Sequence, residues 1–235
     1  MEILIKDQKI SCEYISRKRK TLEIQIQPDG TLRVLAPKGL KKEKVLKTIR
    51  DKEDWIVNKI QEINSRAVPG KPEFKEQELH YGFGNARALS FISAPENKKL
   101  AVDLKSEGFV LSGRDFHKDR VRSALEEWYR FQTEKRVAYF VKKYRNSLPR
   151  PAKIQVKTQK KRWGSCNHKG KVMFNWKLSM APAWVLEYLV VHELSHMEEF
   201  NHSKNFWALV RKTCPRCDEA RDWLKKNQWK FQRFD

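Results

Sequence analysis

The residues most able to do chemistry lie in VVHELSHMEEFNH, residues 190–202. Three of the six histidines in the chain fall here, at His192, His196 and His202, and Glu193 follows the first of them. On a helix, His192 and His196 sit one turn apart and face the same way, so both imidazoles can reach one metal ion. Glu193 lies about 100° round the helix from His192. That puts it within reach of a water on the ion and leaves the ion itself to the histidines. Zinc suits two imidazoles, a third ligand and an open position. Such an ion lowers the pKa of water, and the glutamate can take the proton as general base. The pattern therefore points to hydrolysis by zinc-activated water, with one Zn2+ per chain.

The third ligand has two candidates. His202 lies six residues after His196, a spacing that requires the chain to turn back sharply. Asn201, tolerant of left-handed backbone, can make that bend, and Ser203 can cap the next helix, which carries Phe206 and Trp207. The rival is Glu219, the one glutamate after Glu199. His202 is the choice here. The segment before the motif, WVLEYLVV, is apolar and helical in pattern. Polar groups on a buried helix are costly unless partnered, and a metal would partner these imidazoles.

The surrounding elements follow from periodicity. TLEIQIQPDGTLRVLA, residues 21–36, reads as a β-hairpin, with Leu22, Ile24 and Ile26 alternating before a Pro-Asp-Gly turn and Leu32 and Val34 after it. Earlier strands are expected over residues 3–5 and 10–14. Val45, Ile49, Ile56, Ile60 and Ile63 predict one helix from about Glu43 to Asn64. RAVPGKPEF, residues 66–74, is a loop, and residues 78–112 alternate as strands again. A long amphipathic helix follows His117 and stops before Pro149. KIQVK is a short strand, NHKG a turn, and KVMFNWKL a returning strand. Pro182 suits the first turn of the helix that carries the histidines, expected to run to about Glu199. The fold class is α+β: a β-rich N-terminal region with one helix, residues 1–115, then a C-terminal part with a short sheet and the active-site helix, residues 116–235. There is no internal repeat or low-complexity segment in the sequence.

RWGSCNHKGKVMFNWKLSMAP followed by YLVVHELSHMEEFNHSKNFW resembles the YgjP-like metallopeptidase family, a zincin-like group akin to SprT-type and WLM-type domains. The segments that carry the resemblance are Arg162 to Cys166, Asn175-Trp176, His192 to His196 and Asn201 to Trp207, with RKRKTLEIQIQPDGTLRVLAP at the N-terminal end. The resemblance spans nearly the whole chain. It implies zinc ligands at His192, His196 and His202, a catalytic Glu193, and a sheet of three or more strands with the RWGSC strand near the cleft. The chain departs from the family pattern after the FW helix, where it has Cys214-Pro-Arg-Cys217. That C-x-x-C could hold a metal or cycle redox; the plainer reading is two cysteines at a helix break. In RWGSC, Gly164 is read as allowing a close approach and Trp163 as packing under the site.

Charge bounds the partners. The chain carries 50 Lys and Arg against 29 Asp and Glu, a formal net charge of +21. That favours anionic partners, nucleotide or nucleic acid among them, or is a general solubility charge. Lys160, Lys161 and Arg162 are candidate substrate or anion contacts, and Arg17 to Lys20 form a second basic run. No apolar stretch is long enough to span a membrane, and four scattered cysteines make no disulfide framework, so a cytoplasmic location is expected. The expected substrate is a peptide or protein. The alternatives are hydrolysis of a nucleoside triphosphate, an SprT-like protease acting on DNA-bound proteins, and a non-catalytic module with structural zinc. Glu193 speaks against the last, since a structural zinc needs no base beside its first ligand.

Overall fold

The computed structural model of the chain describes residues 2–6, 8–27, 29–65, 72–94, 96, 99–159 and 162–234. It is an α+β structure in two compact units, Met1–Gly70 and Lys71–Asp235. Among the described residues no helix is long and apolar enough to cross a membrane.

The first unit holds strands β1 (Glu2–Ile5), β2 (Gln8–Arg17), β3 (Glu23–Ile26) and β4 (Leu32–Pro37), then helices α1 (Lys42–Arg50) and α2 (Glu53–Ser65). The sheet order is β1-β2-β4-β3: two antiparallel hairpins joined by a parallel β2–β4 pair. Leu32, Val34 and Ala36 alternate inward along β4, as period-two spacing requires. Val45, Ile49, Ile56 and Ile60 close the core from the helices. The single helix read from residue 43 to 64 is in fact two. The chain breaks at Asp51-Lys52, where the amide of Lys52 donates to Ile49 O and a new turn starts with Ile56 N to Lys52 O. No Gly or Pro marks that break, so periodicity ran across it. The hairpin at residues 21–36 is present, with Gly30 at φ 82° and its amide on Gln27 O at 3.0 Å. Pro28 of that turn, and residues 66–71 of the loop at 66–74, lie outside the described residues.

The second unit begins with a sheet of the same topology. Strands β5 (Leu79–Gly82), β6 (Asn85–Ser93), β7 (Ala101–Leu104) and β8 (Gly108–Gly113) run in the order β5-β6-β8-β7, with β6 and β8 parallel. Helix α3 (Lys118–Lys143) follows. It turns Val121, Leu125, Tyr129, Thr133, Val137 and Phe140 inward at near-helical spacing. Leu89, Phe109 and Leu111 of the sheet share one apolar core with this helix and with everything after it. The boundary read at 115/116 therefore falls inside the second unit, and the break between compact units lies at 70/71.

A three-stranded sheet comes next: β9 (Lys153–Lys157), β10 (Gly164–Cys166) and β11 (Lys171–Asn175), in the order β10-β11-β9. β10 and β11 form the hairpin expected around NHKG, and β9 pairs parallel to β11. A 3-10 turn, Trp176–Met180, leads into α4 (Ala183–Ser195), which starts after Pro182. α4 is buried almost from end to end, with Val185, Leu186, Leu189, Val190, Val191 and Leu194 in the core. α5 (Lys204–Thr213), α6 (Cys217–Asn227) and a closing 3-10 segment, Gln228–Phe234, complete the unit.

Thr133, fully buried on α3, ties that helix to the turn before α4. Its hydroxyl donates to Trp176 O at 2.7 Å and accepts from Ser179 N at 3.2 Å. Thr133→Val keeps the shape, removes the partner of Ser179 N and leaves Trp176 O with only the longer bond from the Ser179 hydroxyl at 3.3 Å. Leaving a buried polar group unpaired costs about 1–3 kcal/mol. Urea unfolding of the Thr133→Val protein is expected to show stability lower by about that amount; an unchanged midpoint would show that these bonds stabilise nothing.

Candidate metal centre

α4 ends sooner than its pattern suggests. It stops at Ser195, and His196 is its C-cap. The chain then winds through tight turns, with Met197 N on Leu194 O, Glu198 N and Glu199 N on Ser195 O, and Ser203 N on Asn201 O at 2.7 Å. Asn201 does not make a left-handed bend: no residue from 196 to 203 has a positive φ. These successive turns reverse the chain instead. Ser203 does cap α5, accepting from Phe206 N at 3.1 Å.

The reversal brings His202 over the end of α4. Its ring centroid is 5.1 Å from that of His192 and 4.7 Å from that of His196, and those two are 4.8 Å apart. One nitrogen from each ring lies within 4.8 Å of the others, so the three could hold one ion. Nε2 of His192 faces Nε2 of His202 at 3.2 Å. Two nitrogens on one tetrahedral zinc, each about 2.0–2.1 Å from it, would stand about 3.3 Å apart. A hydrogen bond between two neutral rings would also close to this distance, but it would not account for the third ring. The donor set thus fits a metal such as zinc.

Each of the first two rings is oriented from behind. His196 Nδ1 lies 3.1 Å from Glu199 O, and His192 Nδ1 lies 3.3 Å from the hydroxyl of Tyr188, one turn earlier on α4. The Glu199 carbonyl can only accept, so His196 Nδ1 carries the proton and its Nε2 is left to face an ion, the usual support for a ligating histidine; the Tyr188 hydroxyl orients the His192 ring. Burial, with the charges of His196, His202 and Arg221, drives the His192 pKa down to about 3. Burial also lowers that of His196. Both are held neutral, the form that binds metal. Phe206 stacks on His196 with centroids 4.5 Å apart, and Trp207 lies nearly parallel to His202 at 5.7 Å. Arg221, paired to Asp218 at 2.9 Å, sits over the Trp207 ring at 4.2 Å. The supporting roles of Tyr188, Phe206, Trp207 and Arg221 were not read from the sequence. Tyr188 alone left a local signal, an aromatic hydroxyl four residues before a histidine on one helix face.

Glu193 is 5% exposed. Its carboxylate lies against β10: a Cβ on Gly164 would stand 2.5 Å from Glu193 Oε1 and 2.7 Å from its Cγ. That is the close approach expected of the glycine in RWGSC. Trp163 packs edge-on against Phe231 at 5.0 Å. Burial raises the Glu193 pKa to about 8, opposed by the charge of Arg162. Arg162 is thus near enough to act on the carboxylate. Gln159 and Arg162 are each held by Asn175, whose amide donates to Gln159 O and Arg162 O and whose carbonyl accepts from Lys177 N. Lys160 and Lys161, grouped with Arg162 as anion contacts, lie outside the described residues.

The remaining candidates are not brought to the site. Glu219 sits in the first turn of α6, paired with Arg216 at 2.9 Å. Cys214 and Cys217 are buried free thiols at the break between α5 and α6, with Cys217 N on Cys214 O. Burial pushes the Cys214 thiol up to about 11, the opposite of an activated cysteine.

Gly164→Ala tests the contact under Glu193. The added methyl cannot fit without moving the carboxylate. Bound metal should be retained while hydrolytic activity falls at least about tenfold, since a displacement of about 1 Å at a reacting group costs that or more. Full activity in Gly164→Ala would mean that the position of Glu193 does not matter.

The family described as YgjP-like, metallopeptidase domain, matches residues 20–227. No curated protein matches the chain. Among solved structures, the metallopeptidase zymogen of Pyrococcus abyssi abylysin is similar at 25% sequence identity, over 39% of this chain and 95% of that one, with a TM-score of 0.36. A likeness that partial bears no further weight here.

Proposed function

This chain belongs to the YgjP-like metallopeptidase family, and from that premise we propose that it is a zinc-dependent peptidase, with His192, His196 and His202 as the metal ligands and Glu193 as the general base. The observation that carries this reading is the convergence of three imidazoles at the end of a buried helix with a buried carboxylate one residue from the first.

When bound, the ion supplies Lewis acidity, polarising a carbonyl and making water more acidic. The protein's own residues do the rest. Glu193 accepts the proton of the attacking water and returns it to the leaving amine. Burial alone would keep this carboxyl protonated near neutrality, whereas Arg162 favours the carboxylate, and a cation among the histidines acts in the same direction. Gly164 leaves the space that the carboxylate occupies. β10 is an edge strand of its sheet, paired to β11 on one side only. Its outer edge offers backbone groups along which an extended peptide can lie, beside Glu193. Tyr188 and the carbonyl of Glu199 hold two of the rings in register.

Glu193→Gln keeps the size and the packing but cannot take a proton. With casein or a mixed peptide library as substrate, turnover is expected to fall by about two orders of magnitude or more, with bound metal unchanged. An active Glu193→Gln protein would remove Glu193 from the mechanism.

A further inference from the structure

The metal centre leaves part of α3 unexplained. Gln132, Lys135, Arg136, Tyr139 and Phe140 fall at i, i+3, i+4, i+7 and i+8, so they share one face of the helix. With Phe83 and Ala183 they line a cavity of about 370 Å³. That is within the range of small-molecule sites. Ala183 is nine residues before His192 on α4, roughly 14 Å away at 1.5 Å per residue, so this is a separate place on the molecule.

Three observations there point to a ligand. The first is Arg136. Its Cζ lies over the Phe83 ring, 3.5 Å from the centroid, and the residue is half-buried. No acidic residue lines the cavity, and among the described residues Arg136 has no carboxylate partner. Its donors are therefore unpaired with any carboxylate and face the cavity and solvent, where an anion can accept from them. The second is Phe83, whose φ of 54° is left-handed. A bulky residue held there is strained, and such strain persists where the surroundings enforce it. Here they do: Phe83 N donates to Ser179 O at 2.9 Å and Gly84 N to Met180 O at 2.8 Å. Gly84 is required beside it, since a Cβ would stand 2.6 Å from Cγ of Pro182. The third is Tyr139, a lining residue that is 64% exposed.

Two cations, an exposed aromatic ring and one amide side chain suit one kind of ligand. A guanidinium and an ammonium recognise phosphate oxygens. An exposed tyrosine offers a stacking platform for a base. The amide of Gln132 can both donate to and accept from a base edge. We propose that this cavity binds a nucleotide unit, with its phosphate on Arg136 and Lys135 and its base on Tyr139. The unit comes either from a free mononucleotide or from the end of a single-stranded nucleic acid. The net charge of +21 favours either. This site does not depend on the peptidase reading.

The test is calorimetric titration of the metal-loaded protein at low salt with AMP, adenosine, inorganic phosphate, a 5′-phosphorylated oligothymidylate and an acidic peptide. AMP and the oligonucleotide should bind, and adenosine and the acidic peptide should bind at least about tenfold more weakly. Arg136→Ala should lower AMP affinity about tenfold or more. Tyr139→Ala removes an exposed ring and so leaves the fold intact. It should weaken AMP and the oligonucleotide about tenfold and leave inorganic phosphate unchanged. His202→Ala, aimed at the metal centre, should leave AMP affinity as it is. An oligonucleotide much tighter than AMP identifies nucleic acid as the source, and equal affinities identify the free nucleotide. The proposal is overturned if both cavity variants bind AMP like the parent protein, if the acidic peptide binds as well as AMP, or if His202→Ala abolishes AMP binding.

Discussion

A buried carboxylate beside a turn of imidazoles, on a helix that is otherwise largely apolar, is the constraint to which the second unit answers. α4 carries Val185 to Val191 through the core and delivers His192 and Glu193 at its end. Glu193 can be buried there only because β10 presents a glycine to it. β10 stays in place because Asn175 binds the backbone of Gln159 and of Arg162 just before it. The turn before α4 is fixed in the same way, by Thr133 from α3. Polar side chains buried in this unit thus serve mainly to hold irregular backbone at the ends of α4, where backbone groups would otherwise lack partners.

Behind the site, α5 and α6 act as a wall. Phe206 and Trp207 cover the three imidazoles, and Arg221 covers Trp207. The Cys214–Cys217 break lets α6 turn back toward α4, with both thiols buried. Apolar packing withdraws His192 and His196 from water, while His202 stays exposed at the surface of the site. Burial favours the neutral form of His192 and His196, and so favours metal binding over their protonation.

The placement of the candidate site residues was largely legible in the sequence because their geometry is local. Two histidines one turn apart, a glutamate between them and a serine cap are helix rules applied over a dozen residues, and the same rules placed Ser203 correctly. The reversal to His202 was legible as a need but not as a shape: a run of ordinary turns does what Asn201 was expected to do, and such turns have no strong residue signature. Non-local facts were beyond reach. Nothing in the alternation of residues 3–36 or 78–112 tells that each sheet joins two hairpins through a parallel pair, because parallel pairing is set between segments distant in sequence. The helix break at Asp51-Lys52 lacks glycine and proline. The unit boundary was missed because the strands from Leu79 to Gly113 look alike whether they pack on residues before or after them. Arg221 over Trp207 is a tertiary contact with no local pattern.

The central claim is that three imidazoles and no other protein side chain hold one ion beside Glu193. X-ray absorption at the metal edge, on protein loaded with zinc, tests it most directly. The account predicts about one zinc per chain with three histidine nitrogens at about 2.0–2.1 Å and a remaining light-atom ligand. In His202→Ala, the spectrum should lose one imidazole or the protein should lose its zinc. A sulfur shell at about 2.3 Å, or an unchanged three-histidine spectrum in His202→Ala, would contradict it.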